Sequence, residues 1–133
     1  MTNQTDADKA AAMRNAIDMI EEAYEFMLAY AAQGRKHDAD DGGVSKIRDY
    51  MNRFSEALGE MEGAAEAVMA GEAASAFRAR FLDDLAVMRS VIALVLEKPS
   101  ISSDMVDNTN GLIAVRAFLT DLLFIDQTVL PPR

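Results

Sequence analysis

The sequence contains no cysteine and only one histidine. The missing cysteines exclude disulfides, thiolate metal sites, iron–sulfur clusters and a cysteine nucleophile. The single histidine excludes metal sites built from several imidazoles, and a serine–histidine–aspartate enzyme would depend on that one residue. We therefore expect no cofactor, no catalytic residues and no enzymatic activity.

Positive charge and long apolar runs are also scarce. Lysine and arginine total 13 against 22 aspartates and glutamates, which gives a net charge of −9. Because a nucleic-acid surface needs clustered lysine and arginine, we expect no nucleic-acid partner. The most apolar stretch, 112–130, is interrupted by Arg116, Asp121 and Asp126, so we expect no membrane span. The polar, acidic start does not resemble a signal peptide, and we expect an acidic, cytoplasmic protein.

Only three prolines occur, and none of them lies inside a long periodic segment. Alanine and other strong helix formers are abundant, and alternation of apolar and polar residues, typical of strands, is missing. A chain of 133 residues is the size of one domain. We therefore predict a single all-α domain over residues 1–133.

Apolar residues recur at steps of three and four in four segments, as on one face of a helix. The predicted helices cover about 8–33, 44–70, 73–97 and 104–127. Asn108, Asn110 and Gly111 are poor helix formers, so a separate or irregular first turn is open for the fourth helix. Short links favour antiparallel neighbours, which predicts an up-down-up-down four-helix bundle. The sequence has no Glu-x-x-His, so the di-iron site found in some bundles is excluded.

The loop after the first predicted helix partly resembles a calcium-binding EF-hand loop. Asp38, Asp40 and Asp49 fall at its positions one, three and twelve. Position five is Gly42, which supplies no side-chain oxygen, and position twelve lacks the usual glutamate. These three aspartates are the candidate metal ligands, but we expect no metal. The alternative is a solvated turn in which Asp40 or Asp41 caps the second helix.

Carboxylates also cluster on the first and third predicted helices. Glu21 and Glu25 are four residues apart and share a helix face. Asp83 and Asp84 lie close to Arg80 in the third helix. We interpret both clusters as solvated helix faces with surface ion pairs, since nothing in the sequence indicates burial.

Methionine is over-represented, with nine residues, and most of them fall on the predicted core faces. Methionine fills irregular core gaps and also lines adaptable binding surfaces. A methionine-rich core is the expected interpretation, and a core that holds a small apolar ligand is the alternative. The predicted centre of the core consists of Ile17, Ile20, Phe54, Leu58, Phe81 and Leu85.

The third and fourth predicted helices carry more apolar residues than one stripe requires. The third helix is apolar all round over 91–96, and the fourth exceeds one stripe along most of its length. Leu94, Ile113 and Phe124 fall outside the predicted core faces, so we predict a homodimer that buries them. Two alternatives remain open: another protein covers this surface, or the fourth helix is central and wrapped by the others.

The excluded catalytic sites and the surplus apolar surface favour a non-enzymatic protein-interaction or regulatory bundle. Two other functions remain open from the sequence. One is a bundle that binds a small apolar ligand in its methionine-rich core. The other is a protein that coats a granule or lipid surface.

Overall fold

The computed structural model describes residues 4–39 and 43–133, and all regular structure within these ranges is helical. The predicted all-α class is therefore confirmed. Five helices follow one another in these two ranges: α1 (Gln4–Ala31), α2 (Lys46–Val68), α3 (Ser75–Leu96), α4 (Ser103–Asn110) and α5 (Ile113–Thr128).

The segment predicted as a fourth helix is divided into α4 and α5. The chain leaves the helix at Gly111, and Leu112 is extended, with a ψ of 134°. The Asn110 side chain donates a hydrogen bond to the carbonyl of Met27 in α1, at 3.3 Å. This contact holds the end of α4 against α1, and α5 begins at Ile113 after the extended Leu112. The structure thus has five helices where the sequence predicted four.

Two serines cap helices at their amino ends. The Ser102 hydroxyl accepts the Met105 N–H at the start of α4. The Ser45 hydroxyl accepts the Arg48 N–H at the start of α2. The expected cap by Asp40 or Asp41, which lie outside the described residues, is therefore corrected to Ser45.

The helices pack around one apolar core. The α1 and α2 helices pack along their lengths, α2 also packs on α3, α3 packs on α5, and α4 lies against α1. All six residues predicted for the centre of the core are fully buried, so that prediction is confirmed. Six methionines are buried with them: Met13, Met27, Met51, Met61, Met69 and Met88. No helix in the described ranges combines the length and the apolarity needed to cross a bilayer.

Buried side-chain hydrogen bonds hold the segment between α3 and α4 against the end of α1. The Tyr30 hydroxyl donates to the carbonyl of Ile101 at 2.5 Å. The Ser103 hydroxyl donates to the carbonyl of Tyr30 at 2.7 Å. These bonds satisfy polar groups that are otherwise buried, and they set the position from which α4 and α5 begin.

Candidate functional site

The three predicted interface residues are all exposed. Leu94 in α3 is 60 % exposed, while Ile113 and Phe124 in α5 are 84 % and 49 % exposed. Val87 in α3 is exposed as well. We call these four residues the α3–α5 face, and they form the first candidate functional surface of the molecule.

Within each of the two helices, the members of this face lie on one side of the helix axis. Val87 and Leu94 are two turns apart on α3, and Ile113 and Phe124 are about three turns apart on α5. The Phe124 ring meets that of Phe77 edge-on, with centroids 5.1 Å apart. This contact fixes Phe124 to α3 while half of its side chain stays exposed.

A pair of carboxyl groups lies at the same helix–helix contact. Asp84 of α3 hydrogen-bonds Asp121 of α5, and the Arg80 Nε lies 3.1 Å from an Asp84 oxygen. Burial, together with the hydrogen bond and charge of Asp84, raises the pKa of Asp121 to about 7. The Oδ2 atom of Asp121 is buried and has no hydrogen-bond partner among the described residues.

The expectation of a solvated face is correct for Asp83, which is exposed, and wrong for Asp84. The Asp84 side chain is only 15 % exposed. The two residues are adjacent, but one position turns a helix by about 100°, and that rotation brings Asp84 towards α5. In the sequence Asp121 only interrupts an apolar run, although its spacing of three residues from the buried Phe118 and four from the buried Ile125 is a signal of partial burial.

A second candidate surface is a groove between α1 and α5. The backbones of these two helices scarcely approach each other, and their side chains leave an open channel. Near its middle the channel is lined by Glu21, Tyr24, Glu25, Leu119, Leu122 and Leu123. Towards the turn between α4 and α5 it continues along Leu28, Leu112 and Arg116. We call the whole channel the α1–α5 groove.

The groove has an apolar floor and exposed apolar edges. Leu122 is buried at the bottom, whereas Leu28 and Leu123 are 48 % and 57 % exposed at the sides. Glu21 and Glu25 are exposed on the α1 edge, as expected of a solvated helix face. Partial burial, followed by the charge of Asp18, raises the pKa of Glu21.

The candidate metal ligands are engaged in other contacts. Asp38 is buried, and its two oxygens accept the Ile101 N–H and the Arg48 Nε–H, each at 2.7 Å. Asp49 pairs with Arg53 at 3.2 Å, and Asp40 lies outside the described residues. In the part of the chain that the structure describes, no group of three histidines or carboxylates is placed to hold a metal.

The contacts of Asp38 give it a structural role that the sequence does not reveal. Arg48, which it binds, also donates to the carbonyl of Leu96 at 3.0 Å. Burial alone would raise the pKa of Asp38, but hydrogen bonds from Ser45, Ile101 and Arg48 outweigh it and lower the pKa to about 2. Asp38 thus joins the loop before α2 to the segment after α3.

Comparison with known proteins gives no match: no family model, no curated protein and no solved structure is similar to this chain. No resemblance to another protein therefore bears on its function. The two surfaces and the buried polar contacts are the features on which a function can rest.

Proposed function

We propose that this protein is a non-enzymatic interaction or regulatory protein that forms a homodimer through the α3–α5 face. The observation that carries the proposal is the exposure of the large apolar side chains Leu94, Ile113 and Phe124, with Ile113 at 84 %. Apolar patches of this kind on a soluble domain are usually covered by a partner, and a second copy is the commonest one.

The charge on this face is compatible with self-association. Arg80 pairs with Asp84 beside it, which offsets the charge of one carboxylate near this face. In the proposed arrangement α4 and α5 together act as the fourth member of an antiparallel up-down-up-down bundle. The cysteine-free sequence fits a cytoplasmic location.

Light scattering after size exclusion tests the dimer. The chain has a mass of 14.5 kDa, and we expect a species of twice that mass at micromolar concentration. A species with the mass of one chain at that concentration would show that the proposal is wrong.

Two alternative functions make different predictions for the same purified protein. A binder of small apolar ligands would carry a bound mass in native mass spectrometry. A protein that coats granules or lipid would sediment with lipid particles and use the exposed apolar residues there as a monomer. The buried methionines favour a packed core over a core that binds a small apolar ligand, because their side chains already pack with the other core residues.

A further inference from the structure

The α1–α5 groove has the shape of a site for a helix. Leu112, Leu119 and Leu123 lie on one side of α5, and Tyr24 and Leu28 lie one turn apart on α1. From Leu112 to Leu123 the α5 side of the groove extends for about 16 Å at 1.5 Å per residue. That length accommodates about three turns of an added helix. An amphipathic helix that enters such a groove inserts apolar residues spaced three and four apart.

Charge indicates the chemistry of the partner. Between Arg14 and Arg35 the sequence has no lysine or arginine, so the middle of α1 carries only negative charge. Glu21 and Glu25 stand on the edge of the groove. Asp18 is close enough to raise the pKa of Glu21, and Arg133, which pairs with Asp18 at 2.7 Å, offsets part of that charge. Towards the turn between α4 and α5, the lining adds the cation Arg116 and the carboxylate Asp107.

We propose that the α1–α5 groove binds an amphipathic helix of another protein, with an apolar row along its centre and lysines or arginines beside that row. The apolar row packs on Tyr24, Leu119 and Leu123, and the basic residues pair with Glu21 and Glu25. The partner therefore carries a basic segment, opposite in charge to the α1 edge of the groove.

A second copy of this chain is a poor occupant of the groove, because it would bring the acidic middle of one α1 against a surface of the same sign. The groove is also separate from the α3–α5 face. Leu123 and Phe124 are neighbours in sequence and point about 100° apart around α5. The inference rests on the proposed class of function, an interaction protein, but not on the dimer.

The test uses a fluorescein-labelled peptide of leucine and lysine that is patterned as an amphipathic helix, titrated with the full chain and followed by anisotropy. A peptide of the same composition, scrambled so that the apolar row is lost, is the control for charge alone. We expect saturable binding of the patterned peptide and binding at least about 10-fold weaker for the scrambled one, a ratio worth about 1.4 kcal/mol. Equal binding of the two peptides, or no binding of either, would overturn the proposal.

Matched variants locate the site. The double variant Glu21→Gln and Glu25→Gln should weaken binding by about 10-fold, whereas Glu56→Gln with Glu60→Gln, at the same spacing on α2, should change it less than about twofold. All four glutamates are exposed, so these variants are expected to fold. An equal loss for both pairs would mean that the peptide responds to overall charge and that the groove is not its site.

Two variants that replace an exposed leucine with serine complete the test. Leu123→Ser should weaken binding by about fivefold, and Leu94→Ser on the α3–α5 face should leave it within about twofold. The reverse result would place the peptide on the α3–α5 face and contradict the proposal. Light scattering of the same samples reports the dimer separately, so the failure of one proposal is distinguishable from the failure of the other.

Discussion

Asp38 joins parts of the chain that are far apart in sequence, through Arg48 on one side and the Ile101 N–H on the other. Asp38→Asn keeps the shape but removes the charge that pairs with Arg48. We expect the free energy of unfolding at neutral pH to fall by about 2–4 kcal/mol, because a buried charged hydrogen-bond network is broken. Asp49→Asn, in the exposed pair with Arg53, should cost less than about 1 kcal/mol.

Urea denaturation of both variants at several pH values is the measurement. The pKa of Asp38 is lowered to about 2 in the folded chain, from an ordinary 3.8. Its contribution is therefore present above pH 3.8 and is lost as the pH falls towards 2. The natural chain should lose this stability in acid and Asp38→Asn should not. Similar losses for Asp38→Asn and Asp49→Asn would refute the structural role of Asp38.

Asp121 has the opposite pH dependence, since its pKa is raised from 3.8 to about 7. Its folded form holds the proton more tightly than the unfolded chain does, so its stabilising effect is complete below pH 3.8 and is lost as the pH rises through 7. Asp121→Asn removes the ionisation. We expect the variant to be more stable than the natural chain at pH 8, by about 1–2 kcal/mol after allowance for solvent screening.

Thermal unfolding monitored by circular dichroism at pH 5 and pH 8 measures this effect. Asp83→Asn is the control, because Asp83 is an exposed carboxylate next to the partner of Asp121. The change in the stability of Asp83→Asn between pH 5 and pH 8 should match the change for the natural chain. If Asp121→Asn also showed the natural difference, the raised pKa of Asp121 would be disproved.

At the level of the elements, the α3–α5 contact depends on two stacked aromatic rings. Phe81 is fully buried, and its ring centroid lies 5.9 Å from that of Phe118. Phe81→Ala should lower the free energy of unfolding by about 3–5 kcal/mol, since it removes buried surface and leaves a cavity. Phe77→Ala, at a half-buried ring, should cost clearly less in the same chemical denaturation experiment. A loss below about 0.5 kcal/mol for Phe81→Ala would mean that this contact does not support the fold.

The periodicity of apolar residues was sufficient to predict the all-α class and the centre of the core. The sequence also indicated an irregular region around Gly111, because Asn108 and Asn110 are poor helix formers. It did not predict that α4 is a separate helix, because that depends on the contact between Asn110 and the Met27 carbonyl, 83 residues away in sequence.

At the scale of the whole molecule, the sequence predicted exposed apolar residues on the last helices, and the structure places Leu94, Ile113 and Phe124 at the surface. It did not predict the α1–α5 groove. The leucines of that groove were visible as surplus apolar residues, but the gap between α1 and α5 exists only because of how the folded helices are spaced. Spacing between helices that are distant in sequence leaves no periodic signal in either of them.

The proposed dimer is best tested with Ile113→Glu. Ile113 is 84 % exposed in the single chain, so a charge there should not disturb the fold, yet in the dimer it would be buried without a partner. We expect Ile113→Glu to halve the mass seen by light scattering. Leu28→Glu, at an exposed leucine on α1, should leave the mass unchanged. A dimer that survives Ile113→Glu and dissociates with Leu28→Glu would move the interface to the groove.

Oxidation of the six buried methionines records how often the folded core opens. A thioether that is shielded from solvent reacts with peroxide only while the helices are transiently separated. The rate of sulfoxide formation therefore measures how often the folded molecule opens. Each sulfoxide is polar and does not pack again in an apolar core. Oxidative ageing should therefore start slowly and accelerate, because every oxidised methionine makes the next opening easier.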